Sequence, residues 1–324
     1  MLKVIKPGLA TTVQDGGRPG YYNVGIPLSG ALDQYALRVA NLLVGNDETA
    51  AAIEATLLAP EIEFGANAIV GVAGAQTTPK LNGTAMPLHA SFAVKAGDKL
   101  TFDFLRQGAR LYIAVAGGID VPMILGSRST YGLGAFGGFE GRKLAAGDVL
   151  PVGKPSARAR AGRAVQGDLA IACPKSQELR VLPGLYDYRL SEEAAESFYA
   201  DSWSVAPEAD RIGYRFKHGR ALKFRDRTPP FGAGSDPSNI VDAGYPYGSI
   251  QVPAGQEPII LHRDAVSGGG YAMLGTVISA DMDRVAQLQP NNTARFVRVD
   301  MAAALAAREA ARQRLTRLRA ALAA

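Results

Sequence analysis

Short apolar runs, each cut off by glycine, proline or asparagine, constrain this chain most. Ala68–Ala73, Leu100–Leu105, Leu111–Ala116, Ile259–Leu261, Gly275–Ser279 and Arg295–Val299 are strand-length and bounded by breakers. With 37 glycines and 19 prolines, the 324 residues carry too many turns for a helical bundle. The pattern predicts a mainly β protein with a few helices, of α+β class. Gly97-Asp98, Gly147-Asp148 and Pro290-Asn291-Asn292 are turn signals before short apolar segments.

Three helices stand out. Leu32, Ala36, Val39, Ala40 and Leu43 recur at helical spacing, with Ser29 or Gly30 as the cap, Asp33 in the first turn and Gly45 as the stop. A second runs from about Ser191 to Tyr199, with Glu192 and Glu193 at its positive end. The third, Met301–Ala324, has no glycine or proline, and its Leu315, Leu318 and Leu322 form a stripe expected to dock on the body of the chain.

The length predicts two domains. A Pro-Gly-Leu follows Val4 and another follows Val181, and a Pro/Arg/Ala-rich stretch separates the halves. The expected division is 1–155, a linker at 156–177, 178–300, and a C-terminal helix at 301–324.

The net charge of +5 is local: five arginines against Asp300 and Glu309 give the last 25 residues +3. No basic face with interleaved aromatics is visible, which argues against nucleic-acid binding. No stretch reaches the roughly 20 apolar residues of a membrane span. The single cysteine, Cys173, and the lack of a leader pattern point to the cytoplasm. Gly132-x-Gly134-x-x-Gly137 matches a dinucleotide fingerprint but lacks the flanking strand and helix, and reads as a glycine-rich loop. His89, His218 and His262 are isolated, so no metal site is expected. There is no Gly-x-Ser-x-Gly elbow and no Walker A sequence.

Four polar clusters remain. Gln14, Asp15 and Arg18 lie in a glycine-rich loop. Arg128 sits in Gly126-Ser127-Arg128-Ser129-Thr130, where hydroxyls and a guanidinium can hold an anion or carboxylate. Arg211 and Arg215 flank Gly213-Tyr214. Gln251 and Asp264 frame an apolar strand, before the glycines that lead to Tyr271. For each, an ordinary turn or ion pair is the competing reading. Their co-occurrence predicts that some of them line one cleft.

These residues resemble the allophanate hydrolase subunit 2 family, which includes the C-type subunits of 5-oxoprolinases and part of the carboxyltransferase region of urea carboxylase. The resemblance runs from about Val4 to Val299. It rests on Thr-Val-Gln-Asp-x-Gly-Arg at 12–18, Ser-Gly-Ala-x-Asp at 29–33, Ala-Asn-x-Leu-Val-Gly-Asn at 40–46 and Ala-Gly-Gly-Ile at 116–119. Gly-Ser-Arg-Ser-Thr at 126–130, Asp-Arg-x-Gly-Tyr-Arg at 210–215, Ile-Gln-Val-Pro at 250–253 and Gly-Gly-Tyr at 269–271 complete it. The chain departs from the family pattern at Asp242-Ala243-Gly244, Val266 and Pro290-Asn291-Asn292.

The resemblance implies two tandem cyclophilin-like β-barrels and a small amide substrate. It also implies an allophanate hydrolase subunit 1 type partner (the B-type protein of 5-oxoprolinase) and a third, A-type protein. Such a complex opens 5-oxoproline to glutamate with ATP hydrolysis. ATP would be used by the complex, with no cofactor bound by this chain alone. On this reading Asp15, Arg128, Gln251 and Asp264 are the catalytic candidates. Gln14, Arg18, Ser129, Arg211, Arg215 and Tyr271 are the substrate-binding candidates. Arg128, Arg18 or Arg211 would take the substrate carboxylate, while Asp15, Asp264 and Gln251 would bond the amide edge or position water. Two rivals follow from the same resemblance. One is a biotin-dependent carboxyltransferase component acting on urea or a similar amide, with biotin on a separate carrier because no Met-Lys-Met occurs here. The other is a non-catalytic regulatory binding protein.

Overall fold

A computed structural model describes residues 1–323. The protein is mostly β, with four α-helices among the described residues. It divides into two compact units. The first comprises Met1–Arg18, Ser29–Pro174 and the chain from Arg312 onward; the second comprises Pro19–Leu28 and Lys175–Ala311. These units are discontinuous, unlike the sequential ranges drawn from the sequence. Residues 19–28 group with the second unit, residues 156–174 with the first, and the C-terminal helix divides after Ala311.

The first unit holds β1 (Leu2–Lys6), β2 (Thr12–Gln14), β3 (Ala52–Thr56), β4 (Glu61–Phe64), β5 (Ala68–Gln76), β6 (Pro79–Leu81), β7 (Thr84–Ala85), β8 (Ala90–Val94), β9 (Lys99–Phe102), β10 (Gln107–Val115) and β11 (Val149–Leu150). They form a six-stranded sheet, β11-β1-β4-β9-β6-β7, and a five-stranded sheet, β2-β3-β10-β5-β8. Side-chain alternation explains the layering. Along β10, Leu111, Ile113 and Val115 enter the core shared with Val4, Ile62 and Leu100 of the other sheet. Tyr112 and Ala114 point to the opposite face, against the helix α1 (Gln34–Leu43). The cap of α1 is Asp33, whose carboxylate accepts from the Ala36 N–H, so Asp33 takes the role assigned to Ser29 or Gly30. Ser29 and Gly30 both have positive φ and form the turn before it.

The second unit holds β12 (Ser176–Pro183), the helix α2 (Glu192–Ala200), β13 (Trp203–Val205), β14 (Gly213–Lys217), β15 (Asn239–Gly244), β16 (Ser249–Gln251), β17 (Ile259–Leu261), β18 (Gly268–Tyr271), β19 (Met273–Val277), α3 (Met282–Ala286) and β20 (Thr293–Arg298). Seven strands close a barrel in the order β12-β19-β16-β17-β14-β13-β20. A parallel β12–β20 pairing shuts it. β15 and β18 form a separate ribbon. Phe198 stacks on Phe296 at 4.6 Å, with Trp203 and Phe216 around them, so aromatic burial anchors one side of the barrel to α2.

The last helix, α4, runs Met301–Ala323. Leu318 and Leu322 are buried and Leu315 partly buried against α1 and the five-stranded sheet, as the leucine stripe predicts. Arg314 lies 3.9 Å over the Tyr35 ring. No helix among the described residues is long and apolar enough to cross a membrane.

Candidate functional site

In the first unit, the loop after β2 and the loop at 126–130 meet around Asp15. Residues more than 110 positions apart are joined because Thr130 donates its N–H to the Val13 carbonyl. Asp15 Oδ1 accepts from the Gly17 N–H at 2.7 Å, the Ser127 hydroxyl at 2.7 Å and the Ser129 hydroxyl at 2.5 Å. Its Oδ2 accepts from the Arg128 N–H at 2.6 Å. Three donors thus meet on Oδ1 and one on Oδ2. The hydroxyl-rich segment holds the protein's own carboxylate, and Asp15 orders this loop pair.

Arg18 is fully buried; its Nη2 donates to the Ser129 carbonyl at 2.5 Å, and its guanidinium lies 4.9 Å from the Phe136 ring. The glycine-rich loop closes over it. A Cβ on Gly137 would fall 2.1 Å from the Ser129 carbonyl oxygen, and one on Gly138 would fall 1.8 Å from Thr130 Oγ1. Here glycine is required by close approach as well as by positive φ. Gln14 Nε2 donates to Thr12 Oγ1 at 3.0 Å and to the Thr130 carbonyl at 3.2 Å. Its Oε1 is buried and has no hydrogen-bond partner among the described residues. Arg128 is held along one edge, with Nε to the Val121 carbonyl at 2.8 Å and Nη2 to Asp120 at 2.9 Å. Its side chain remains 32% exposed, which leaves Nη1 available to a ligand. Val121, Phe136, Gly137 and Gly138 line a cavity of about 360 Å³.

The second unit holds the other five predicted residues. Arg211 grips Asp264 in a fork, Nε to Oδ2 at 2.7 Å and Nη2 to Oδ1 at 3.2 Å, with Asp264 almost buried. Arg215 pairs with Glu257 at 2.9 Å. For both arginines an ion pair within the protein is the observed arrangement. Gln251 is buried beside the Tyr245 hydroxyl. That hydroxyl donates to the Tyr271 carbonyl at 2.8 Å and accepts its N–H at 2.7 Å. Burial raises the Tyr245 phenol above its ordinary value. Tyr271 stays 41% exposed.

Five of the predicted residues thus meet around Asp15 in the first unit, whereas those of the second unit fall into three groups: Arg211 with Asp264, Arg215 with Glu257, and Gln251 with Tyr245 and Tyr271. Sequence reasoning passed over Tyr245 and did not single out Ser127 among the hydroxyls of its segment. Ser127 and Ser129 are two apart, which puts both hydroxyls on one side of an extended segment, and that spacing was a usable signal. Tyr245 carried none. No group of three or more His, Cys, Asp or Glu among the described residues is arranged to hold a metal.

Residues 24–298 match the family model for the carboxyltransferase domain, subdomain A and B. The chain belongs to this family. It is 37% identical to the C-type subunit of Escherichia coli 5-oxoprolinase over 309 residues, covering 95% of this chain and 94% of that one. It is 35% identical to the urea amidolyase of Lachancea kluyveri, over 91% of this chain but 17% of that protein. The crystal structure of K. lactis urea amidolyase superposes with a TM-score of 0.91 at 34% identity, covering 98% of this chain and 20% of that one. The chain therefore spans nearly all of a free-standing polypeptide and a fifth or less of the urea amidolyases.

Proposed function

We propose that this chain is the C-type subunit of a 5-oxoprolinase-like complex, which opens a cyclic amide with ATP hydrolysis. It would act with a B-type protein, of the allophanate hydrolase subunit 1 kind, and with an A-type protein. One observation carries the reading: the end-to-end correspondence with the C-type subunit of E. coli 5-oxoprolinase, 95% of one chain against 94% of the other. A chain matched along its whole length to a separate subunit is most simply that same kind of subunit. ATP would be used by the complex, and the cytoplasm is the compartment a lone buried thiol favours.

The geometry supports specific roles. Arg128, tethered on one edge and open on the other, suits a substrate carboxylate. Gln14 Oε1 is an acceptor for an amide N–H. Asp15, with Ser127 and Ser129, holds both in place, and Arg18 stiffens the loop from beneath. In the second unit, Asp264 is fixed by Arg211 as an oriented acceptor. Gln251 acts through Tyr245 on the position of the exposed Tyr271, and Arg215 supports the surface beside them. The test is Arg128→Ala against Arg128→Lys in the assembled complex. We expect alanine to raise KM for 5-oxoproline at least tenfold, with partial recovery by lysine. Unchanged KM in both would remove Arg128 from the binding site.

A carboxyltransferase role is the second reading, favoured by the family match and by the TM-score of 0.91 to a urea amidolyase structure. It requires biotin on a separate carrier. Transfer of the carboxyl group from free carboxybiotin to urea, dependent on this chain, would support it; no transfer in the presence of an active lactamase complex would dismiss it.

A further inference from the structure

The second unit contains a cavity of about 430 Å³ whose wall includes Arg189, Arg225 and Arg227. None of these is among the predicted site residues described above. Arg189 lies just after β12, and the other two lie between β14 and β15. Each is anchored on backbone carbonyls: Arg189 on Asn239 at 3.1 Å and on Pro237, Arg225 on Leu190 at 2.8 Å, and Arg227 on Asn239. These anchors are neutral. Among the described residues, none of the three arginines forms an ion pair with a carboxylate, and neither do Asp226 and Asp242 on the same wall.

That arrangement is electrostatically costly. Arg189 is 6% exposed and packs 5.8 Å from the Phe224 ring. Burial first, then the charge of Arg227, holds its guanidinium below the ordinary value. Arginine does not shed its proton in proteins, so a counter-anion is the available relief. Arg227 Nε is also buried with no hydrogen-bond partner. Three guanidiniums against two carboxylates leave one positive charge in excess. The remaining wall is apolar, with Tyr186 and Ile240 among its residues. The volume falls within the range of small-molecule sites.

We propose that this cavity binds a small organic oxyanion, a carboxylate or phosphate monoester, with its apolar body against Tyr186 and Ile240. The guanidinium forks match either group bidentately. The inference invokes none of the residues given a role in the lactam-opening reading, although Tyr186 packs against Tyr245.

Calorimetric titration of the full chain with benzoate and with phenyl phosphate tests it, with benzamide as the neutral probe. The expected result is saturable binding of at least one anion and none of benzamide. Binding of benzoate alone assigns a carboxylate ligand, and binding of phenyl phosphate alone assigns a phosphate ester. Arg225→Gln and Arg227→Gln should each weaken binding tenfold or more, whereas Arg220→Gln, a surface residue paired with Asp201, should not. Among the described residues Arg225 is tied by its side chain to one carbonyl only, so Arg225→Gln carries the comparison if Arg227→Gln fails to fold. No saturable binding of either anion at tens of millimolar would overturn the proposal, as would affinity unchanged in Arg225→Gln.

Discussion

Asp15 gathers four donors from two distant loops, and its removal would leave them without an acceptor in a nearly dry site. Each stranded buried group costs about 1–3 kcal/mol. Asp15→Ala should therefore lose about 3 kcal/mol or more in urea unfolding, and Asp15→Asn clearly less, because it keeps the shape and part of the acceptor set. Equal stability of Asp15→Ala and the parent would refute the organising role. Cys173 offers a second residue-level check. Burial and, next, the Asp33 charge push its thiol up to about 12, so the thiolate is scarce at pH 8. A thiol reagent should label the native chain slowly and the denatured chain fast; rapid native labelling would contradict the buried placement. At this scale the sequence was partly legible. The polar residue types of the first cluster are visible in it. What Ser127, Ser129 and Arg128 bind was not, because their partner lies more than 110 residues away and no local pattern encodes that pairing.

Elements were read more reliably where a strong period or a cap fixed them. β10 obeys simple alternation, and α2 begins at a Ser191 cap that accepts from Ala194. The cap of α1 is not decided by the sequence, because Ser29, Gly30 and Asp33 all suit a helix start, and only geometry shows that Asp33 reaches Ala36. Docking of α4 gives a direct prediction. Leu318 is fully buried, so Leu318→Ala should cost about 2–5 kcal/mol, measured by thermal or urea unfolding; a loss under about 0.5 kcal/mol would mean the helix does not depend on that contact. The same helix carries a pH-sensitive tie. Hydrogen bonding from Arg319 holds the Glu48 carboxyl below its ordinary 4.5. A depressed carboxylate stabilises at pH values above its unfolded value and loses that contribution as pH falls through the folded one. The stability gap between the parent and Arg319→Ala should be present at pH 7 and shrink below about 4.5; both groups are partly exposed, so the gap is small. In the glycine-rich loop, Gly138→Ala would drive a methyl into Thr130 and should destabilise the Asp15 cluster, read as a lowered melting temperature.

For the molecule as a whole, the turn-rich sequence predicts a mainly β fold in two parts, and the fold has a closed seven-stranded barrel in one unit and two packed sheets in the other. The discontinuity of the units was not legible. Residues 19–28 and the end of α4 are assigned by packing, and composition does not register it. Which of the polar residues meet was not legible for the same reason: side-chain type is local, whereas the meeting of Gln14, Asp15, Arg18, Arg128 and Ser129 is a property of topology. The central claim concerns the complex proposed for this chain. The most direct measurement is ATP hydrolysis by this chain mixed with the B-type and A-type proteins proposed to act with it, with and without 5-oxoproline. The account predicts hydrolysis that rises with 5-oxoproline and disappears when this chain is left out. A stable three-part complex whose ATP hydrolysis ignores 5-oxoproline would contradict it.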